Sequence, residues 1–226
     1  MNRPITIAID GPAGSGKSSV SQRLAERFHY LFVDTGSFYR AITYILLQAR
    51  VDLNDLEMVE NIVRRVRLEI QEGEAASCRI ISNGEDITDQ LRSKQVEDHV
   101  SAVSSMPLIR TLLLPLQQEV AKQGNIIMAG RDIGTVVLPD ANLKIYIDAS
   151  LEERARRRYD QLHASGKAVA LDAIAEGIAQ RDKADSERSV APLRQAENAI
   201  YIDTDSHSLD EVVEQISRLI ENGNKT

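Results

Sequence analysis

The sequence predicts an α/β protein, a five-stranded parallel sheet with helices on both faces and a small β-rich insert. Three observations carry this expectation. Short apolar runs alternate with longer stretches of helical periodicity, the pattern of strands joined by crossover helices. The runs are nearly unbroken in Ile, Val and Ala, as suits parallel strands covered on both faces. The first run ends in a glycine-rich turn that passes directly into a helical pattern.

Ile5, Ile7 and Ile9, with Ala8 between, form the first strand. Ser19, Val20, Leu24, Ala25 and Phe28 then recur at helical spacing. Leu31–Ser37 is a second strand ending in a turn, followed by a helix from Phe38 to about Ala49 with Ile42, Ile45 and Leu46 on one face. Leu56–Arg65 is helical. Val66–Ile70 and Cys78–Ser82 then read as antiparallel strands around a Gly-containing turn, and Asn83–Thr88 adds a turn and a short strand. This patch interrupts the βα alternation and marks an inserted subdomain over about residues 36–105. Helix returns over Ser101–Ala121, restarting at Pro107, a favoured first-turn position. Ile126–Arg131 and Leu143–Ala149 are the third and fourth core strands. Helices over Leu151–Ala164 and Leu171–Ser186 follow, joined by the turn HASGKA. Ala199–Thr204 is the fifth strand, and a last helix over Ser208–Glu221 places Leu209, Val212, Val213, Ile216 and Leu219 at core spacing. No repeats or low-complexity linkers interrupt the chain.

At 226 residues, with 42% hydrophobic and 27% charged residues, the chain can bury one sizeable core and carry an appended subdomain. No apolar run approaches a membrane span, and the first strand begins so early that no signal peptide is expected. A cytoplasmic location and no membrane partner follow. A single cysteine, Cys78, excludes an internal disulfide framework and a Cys-rich zinc site, and the four histidines lack metal-ligand spacing. The net charge of −7 argues against a nucleic-acid-coating protein. A chain of this balance that binds polyphosphate must concentrate its arginines locally.

Polyphosphate is the ligand that the glycine-rich turn implies. Gly11–Ser18 fits G-x-x-x-x-G-K-[ST], in its required setting between strand and helix. Gly11, Gly14 and Gly16 let the loop, with Pro12, Ala13 and Ser15 between them, turn its backbone N–H groups inward as a nest for phosphate oxygens. The helix N-terminus adds positive potential. Lys17 can reach the β and γ phosphates, and the Ser18 hydroxyl can ligate Mg²⁺. Ser19 follows in the same loop.

Other charged residues fall at strand ends, where ligands of parallel sheets bind. Asp34 and Arg40 follow the second strand, and Arg131 and Asp132 the third. Arg154, Arg156, Arg157 and Arg158 lie on the helix after the fourth. Arg181, Asp185 and Arg188 share one face of the next helix at i, i+4 and i+7. Each alone reads as a local ion pair or a solvated helix face. Together, beside a phosphate loop in an acidic chain, they call for a second phosphate on an acceptor.

The segments GPAGSGK, DTGSFYR, GEDIT, GRDIGTVVLPDA, RDKADSERSVAPL and AIYIDT occur in order over nearly the whole chain. In them the sequence resembles bacterial-type cytidylate kinase, a P-loop nucleoside monophosphate kinase. One departure is Asn198, where relatives often carry an acidic residue, and it lies outside the inferred site. The resemblance implies transfer of the γ-phosphoryl of ATP to CMP or dCMP with Mg²⁺, in pyrimidine nucleotide metabolism. It implies an acceptor subdomain matching the insert, a mobile helical lid over about residues 154–169, and a monomer. Lys17 and the loop backbone would hold ATP, and Arg157 would contact the donor nucleotide. Arg40, Arg131 and Arg188 would clamp the acceptor phosphate, and Asp185 with Arg181 would meet the ribose. Ser101, Arg110 and Asp132 would read the base, with Thr35, Tyr39 and Gly130 also in the acceptor site. Asp10, Asp34 and Asp132 are all candidates to orient the Mg²⁺ waters. The alternatives are a kinase for UMP, AMP, dTMP or a metabolite hydroxyl, and a P-loop switch. The guanine-reading string N-K-x-D is absent from the sequence.

Overall fold

The computed structural model describes residues 5–73, 76, 78–166 and 168–223. Residues 74, 75 and 77 of the expected insert and Lys167 of the expected lid lie outside the described residues. Five parallel strands form the main sheet: β1 (Thr6–Asp10), β2 (Leu31–Asp34), β6 (Ile126–Gly130), β7 (Leu143–Asp148) and β8 (Ile200–Asp203). Their order is β2-β6-β1-β7-β8. Between β2 and β6 a second, antiparallel sheet is made by β3 (Leu68–Glu72), β4 (Cys78–Ser82) and β5 (Glu85–Asp86).

The period-2 alternation of the strands divides the interior in two. Ile7, Ile9, Ile127 and Ala129 point to one face, where Val20, Leu24 and Ala25 of α1 (Lys17–Phe28) meet Val212, Val213, Ile216 and Ile220 of α8 (Leu209–Gly223). Ala8, Val33, Ile126 and Met128 point to the other face. There they meet α2 (Gly36–Gln48), α4 (Lys94–Ser105) and α5 (Pro107–Ala121), together with Ile80 and Ile87 of the small sheet. Val59 and Val63 of α3 (Leu56–Val63) join the same core. A third, smaller cluster lies inside the hairpin of α6 (Leu151–Ala164) and α7 (Leu171–Glu187), where Ala155, Ile174 and Ile178 enclose Ala13.

Several boundaries differ from the sequence expectation. The second strand stops at Asp34, because Asp34 Oδ1 accepts the Gly36 N–H at 3.0 Å and the chain turns at once into α2. The helix expected from Ser101 begins seven residues earlier, at Lys94, with Val96, Val100 and Val103 buried along one stripe. It ends where Pro107 forces Met106 into extended backbone, and α4 and α5 meet there at 93°. A 3₁₀ turn over Thr88–Arg92 follows β5. After β6 the chain makes one π turn, Ile133–Val137, closed by Leu138 N–H donating to Ile133 O at 2.7 Å.

The small sheet closes the β2 edge of the large one. Phe32 N–H donates to Ala76 O at 3.1 Å, and the Cys78 thiol donates to Phe32 O at 2.9 Å. Burial pushes that thiol up to about 12, away from the thiolate form that a reactive cysteine uses. Among the described residues no single helix is long and apolar enough to cross a membrane.

Candidate active site

A cleft of about 830 Å³ opens at the carboxyl ends of the strands, walled by the glycine-rich loop, α2, α4, α6 and α7. The loop geometry follows from its glycines. A side chain at Gly11 would place Cβ 1.9 Å from Ile147 O, so the loop can lie against β7 only without one. Gly16 takes φ 91° at the N-cap of α1 and brings no capping side chain. The first N–H groups of α1 therefore remain open to an anion.

Lys17 is 6% exposed. Its Nζ donates to Pro12 O at 2.5 Å and to Ser15 Oγ at 3.3 Å. Burial pulls its pKa well below the ordinary lysine value, and the Arg131 charge adds to this, against Asp34 and Asp10. Ser18 Oγ lies 3.5 Å from Asp34 Oδ2. Of the three candidate carboxylates, Asp34 is thus the one beside Ser18. Asp10 is buried and accepts the N–H groups of Ile133 at 2.8 Å and Gly134 at 2.7 Å. Burial pushes its carboxyl up to about 6, more than these two N–H groups hold it down. Asp132 is occupied by arginines.

Those arginines form a chain of alternating charge across three elements. Arg110 of α5 meets Asp132 Oδ1 at 2.6 Å, and Arg188 meets the same oxygen at 3.2 Å. Arg188 also meets Asp185 at 3.3 Å, and Arg131 closes the chain onto Asp185 at 2.8 Å. Arg110 also donates to Ser104 O at 3.0 Å, and its guanidinium lies 5.1 Å from the Tyr39 ring centroid. Burial and the Arg110 charge lower the Arg188 pKa.

This chain sets three arginines against two aspartates, and two further cations stand outside it. Arg40 leaves its buried Nε without a partner among the described residues. Arg181 is pushed down to about 10, by burial first and then by the charges of Arg131 and Arg40. Lys17, Arg40, Arg131 and Arg181 thus face one space with an excess of positive charge, and an anion there relieves all four.

Most residues expected from sequence converge on the cleft. Ala13, Gly14, Gly16, Lys17, Ser18, Ser19, Thr35, Tyr39, Arg40 and Arg110 line it. So do Gly130, Arg131, Asp132, Arg157, Arg181, Asp185 and Arg188. Gly11, Pro12 and Ser15 are buried beneath as the frame of the loop. Ser101 does not line the cleft; Ser104, one turn on, does. Arg157 donates to Thr204 Oγ1 at 3.0 Å and Thr204 O at 2.6 Å, against the last strand end. Sequence reasoning missed Asp182 altogether and read Arg154 as part of a mobile segment. Arg154 is buried, pairs with Asp182 and donates to Ala13 O at 3.0 Å.

Among the described residues no group of three His, Cys, Asp or Glu side chains could hold a metal unaided. Mg²⁺ does not need one, since it keeps waters and takes phosphate oxygens, and the Ser18 and Asp34 oxygens suit that mode.

The family model of cytidylate kinase matches residues 7–222. Similar curated relatives include the cytidylate kinase of Geobacillus kaustophilus, 45% identical over 97% of this chain and 98% of its own. That of Bacillus cereus is 44% identical over 97% of each chain. Among solved structures, an uncharacterized protein from Eubacterium ventriosum aligns over 97% of this chain and 99% of its own with a TM-score of 0.54. Its 14% identity bears on the fold alone.

Proposed function

The chain belongs to the cytidylate kinase family, and on that premise we infer that it is an ATP-dependent kinase transferring the γ-phosphoryl group to CMP or dCMP. The products are ADP and CDP or dCDP. The observation that carries this reading within the molecule is the excess positive charge shared by Lys17, Arg40, Arg131 and Arg181 in a chain of net charge −7.

The mechanism we propose is positioning with charge stabilisation. An oxygen of the CMP phosphate attacks the γ phosphorus in line, and the bond to the β–γ bridging oxygen breaks. The acceptor is already an anion, so no base has to remove a proton, in keeping with the absence of histidine from the cleft lining among the described residues. Lys17 leaves Pro12 O for the phosphates, whose charge offsets the cost of its burial. The N–H groups of the loop and helix start, from Gly14 to Ser19, hold the β phosphate. Arg40, Arg131 and Arg188 clamp the acceptor phosphate, for which the planar guanidinium fork suits two oxygens at once. Arg181 and Asp185 meet the ribose. Asp132 accepts from the cytosine amino group, and Arg110 donates to N3 and O2. Ser101 would join them when α4 moves over the acceptor. Thr35, Tyr39 and Gly130 shape that pocket. Arg157, seated on Thr204, contacts the donor nucleotide.

Ser18 would hold Mg²⁺, with Asp34 orienting its waters; the ion supplies charge neutralisation at the transferred phosphoryl. The acceptor subdomain is assigned to residues 36–105 and the lid to 154–169, with Arg154 as its seated base, both within one kinase domain spanning the chain. We place the enzyme in the cytoplasm, as a monomer without nucleic-acid or membrane partners.

An ATP-consumption assay with CMP, dCMP, UMP, AMP and dTMP tests the reading. CMP and dCMP should stimulate turnover strongly. Slow hydrolysis indifferent to every acceptor would return the chain to a nucleotide switch.

A further inference from the structure

The backbone of Ala13, at the tip of the glycine-rich loop, is gripped from outside the loop at both its N–H and its carbonyl. Its N–H donates to Asp182 Oδ1 at 3.0 Å. Its carbonyl accepts from Arg154 Nη1 at 3.0 Å. Arg154 and Asp182 pair with each other, and Arg154 Nε donates to Ala149 O at 2.9 Å, fixing the guanidinium to the end of β7. The loop and helix touch closely: a Cβ at Gly14 would stand 3.3 Å from Arg154 Cβ. The Ala13 methyl is buried in the apolar cluster of α6 and α7, with Ala155, Ile174 and Ile178. Asp182 and Arg154 come from two helices on either side of the turn at the far end of their hairpin. Their contacts all lie at the hairpin base.

We propose that Asp182 and Arg154 are positioning residues for the phosphate loop, tying it to the hairpin base. Residues 158–169 then swing from a base whose seat is the loop itself. The Ala13 N–H is committed to Asp182 and is not among the donors offered to phosphate. The grip instead sets the orientation of the N–H groups that follow it, from Gly14 to Ser18. A loop held this way meets ATP already shaped, and the entropy of ordering it is not charged to binding. Among the described residues Asp182 pairs with Arg154 and accepts the loop N–H, and it does not line the cleft, so its effect on ATP is argued through the loop.

The inference rests on the loop being the ATP site. The test compares Asp182→Ala and Asp182→Asn with the wild type in three measurements: ATP affinity by calorimetry, KM for each substrate, and Tm. Asp182→Ala should weaken ATP binding and lower kcat/KM for ATP by roughly 10- to 100-fold, as misplacement of about an ångström does, with KM for CMP little changed. Asp182→Asn keeps an oxygen for the Ala13 N–H and should fall between the two. If Asp182→Ala does not fold, Asp182→Asn decides alone: weakened ATP binding with CMP binding retained supports the proposal. A lowered Tm with unchanged ATP affinity overturns it, as does an equal loss for both substrates. The calorimetric ratio needs no acceptor, so a wild type that binds ATP and phosphorylates no CMP would defeat the activity reading and leave this inference standing on its own result.

Discussion

At the scale of single residues, the site separates charges that are spent on structure from charges that are held in reserve. Lys17 belongs to the second kind, since Pro12 O is a partner it can leave. Lys17→Ala should remove transfer with the fold intact, costing about 3–4 kcal/mol of transition-state stabilisation; steady-state kinetics beside a thermal melt will separate the two effects. Asp132 joins Arg110 and Arg188 at a buried position, and it is also our reader of the cytosine amino group. Asp132→Asn should narrow the ratio of kcat/KM for CMP over UMP, mainly through loss with CMP, because an amide can donate to the uracil carbonyl. An unchanged ratio would reduce Asp132 to an arginine partner. Asp10 makes a pH prediction. Its folded pKa, raised to about 6 from 3.8, means the folded state binds more protons than the unfolded chain between those values. Stability from this group is therefore greatest below pH 3.8 and falls as pH rises to about 6, where its loss levels off at about 3 kcal/mol. Carboxyl NMR titration of Asp10 checks it; an ordinary aspartate midpoint would refute it.

At the scale of elements, the strands were legible because unbroken Ile and Val runs have few other readings, and the strand–loop–helix setting announced the phosphate loop. What escaped was structure set by contacts distant in sequence. The π turn after β6 exists because Asp10, more than a hundred residues away, collects two of its N–H groups. The start of α4 was missed because the stripe of Val96, Val100 and Val103 is thin and set among charged residues. The site was legible wherever arginine stood at a strand end. Asp182 stands among the charged residues of its helix with no signal of its own in the sequence, and its hydrogen bond from the Ala13 N–H distinguishes it. The hairpin carries an element-scale prediction. With its base fixed at Arg154, faster amide hydrogen exchange in the free enzyme should begin near Arg158 and run toward Val169, slowing when ATP and CMP analogues are both bound. Equal exchange with and without ligands would count against a moving segment. Arg131→Lys and Arg188→Lys belong here too, because each arginine joins two elements. An ammonium keeps the charge and loses the fork, so turnover should fall strongly, whereas ordinary surface pairing would cost about 1 kcal/mol of stability or less.

At the scale of the whole molecule, the acceptor and donor sides are built on one sheet and meet along its carboxyl edge. The loop we assign to the donor rises from β1 at the centre, while the residues we assign to the acceptor come from the ends of β2 and β6, from α2 and α5, and from the C-terminal end of α7. On this assignment the sheet sets the distance between the two substrates. The small antiparallel sheet is joined to this frame by more than its two chain connections. Ile80 and Ile87 lie in the same apolar cluster as Ala8, Val33 and Met128 of the central strands, and Ala76 completes the hydrogen bonding of Phe32. It follows that the insert is not a cassette. Replacing residues 66–92 by a short flexible linker would strip the cover from half of the central layer and leave a strand edge open to any passing chain. A recombinant enzyme trimmed in this way should come out of the cell in inclusion bodies, and a graft of the segment onto an unrelated sheet should bring none of its order along.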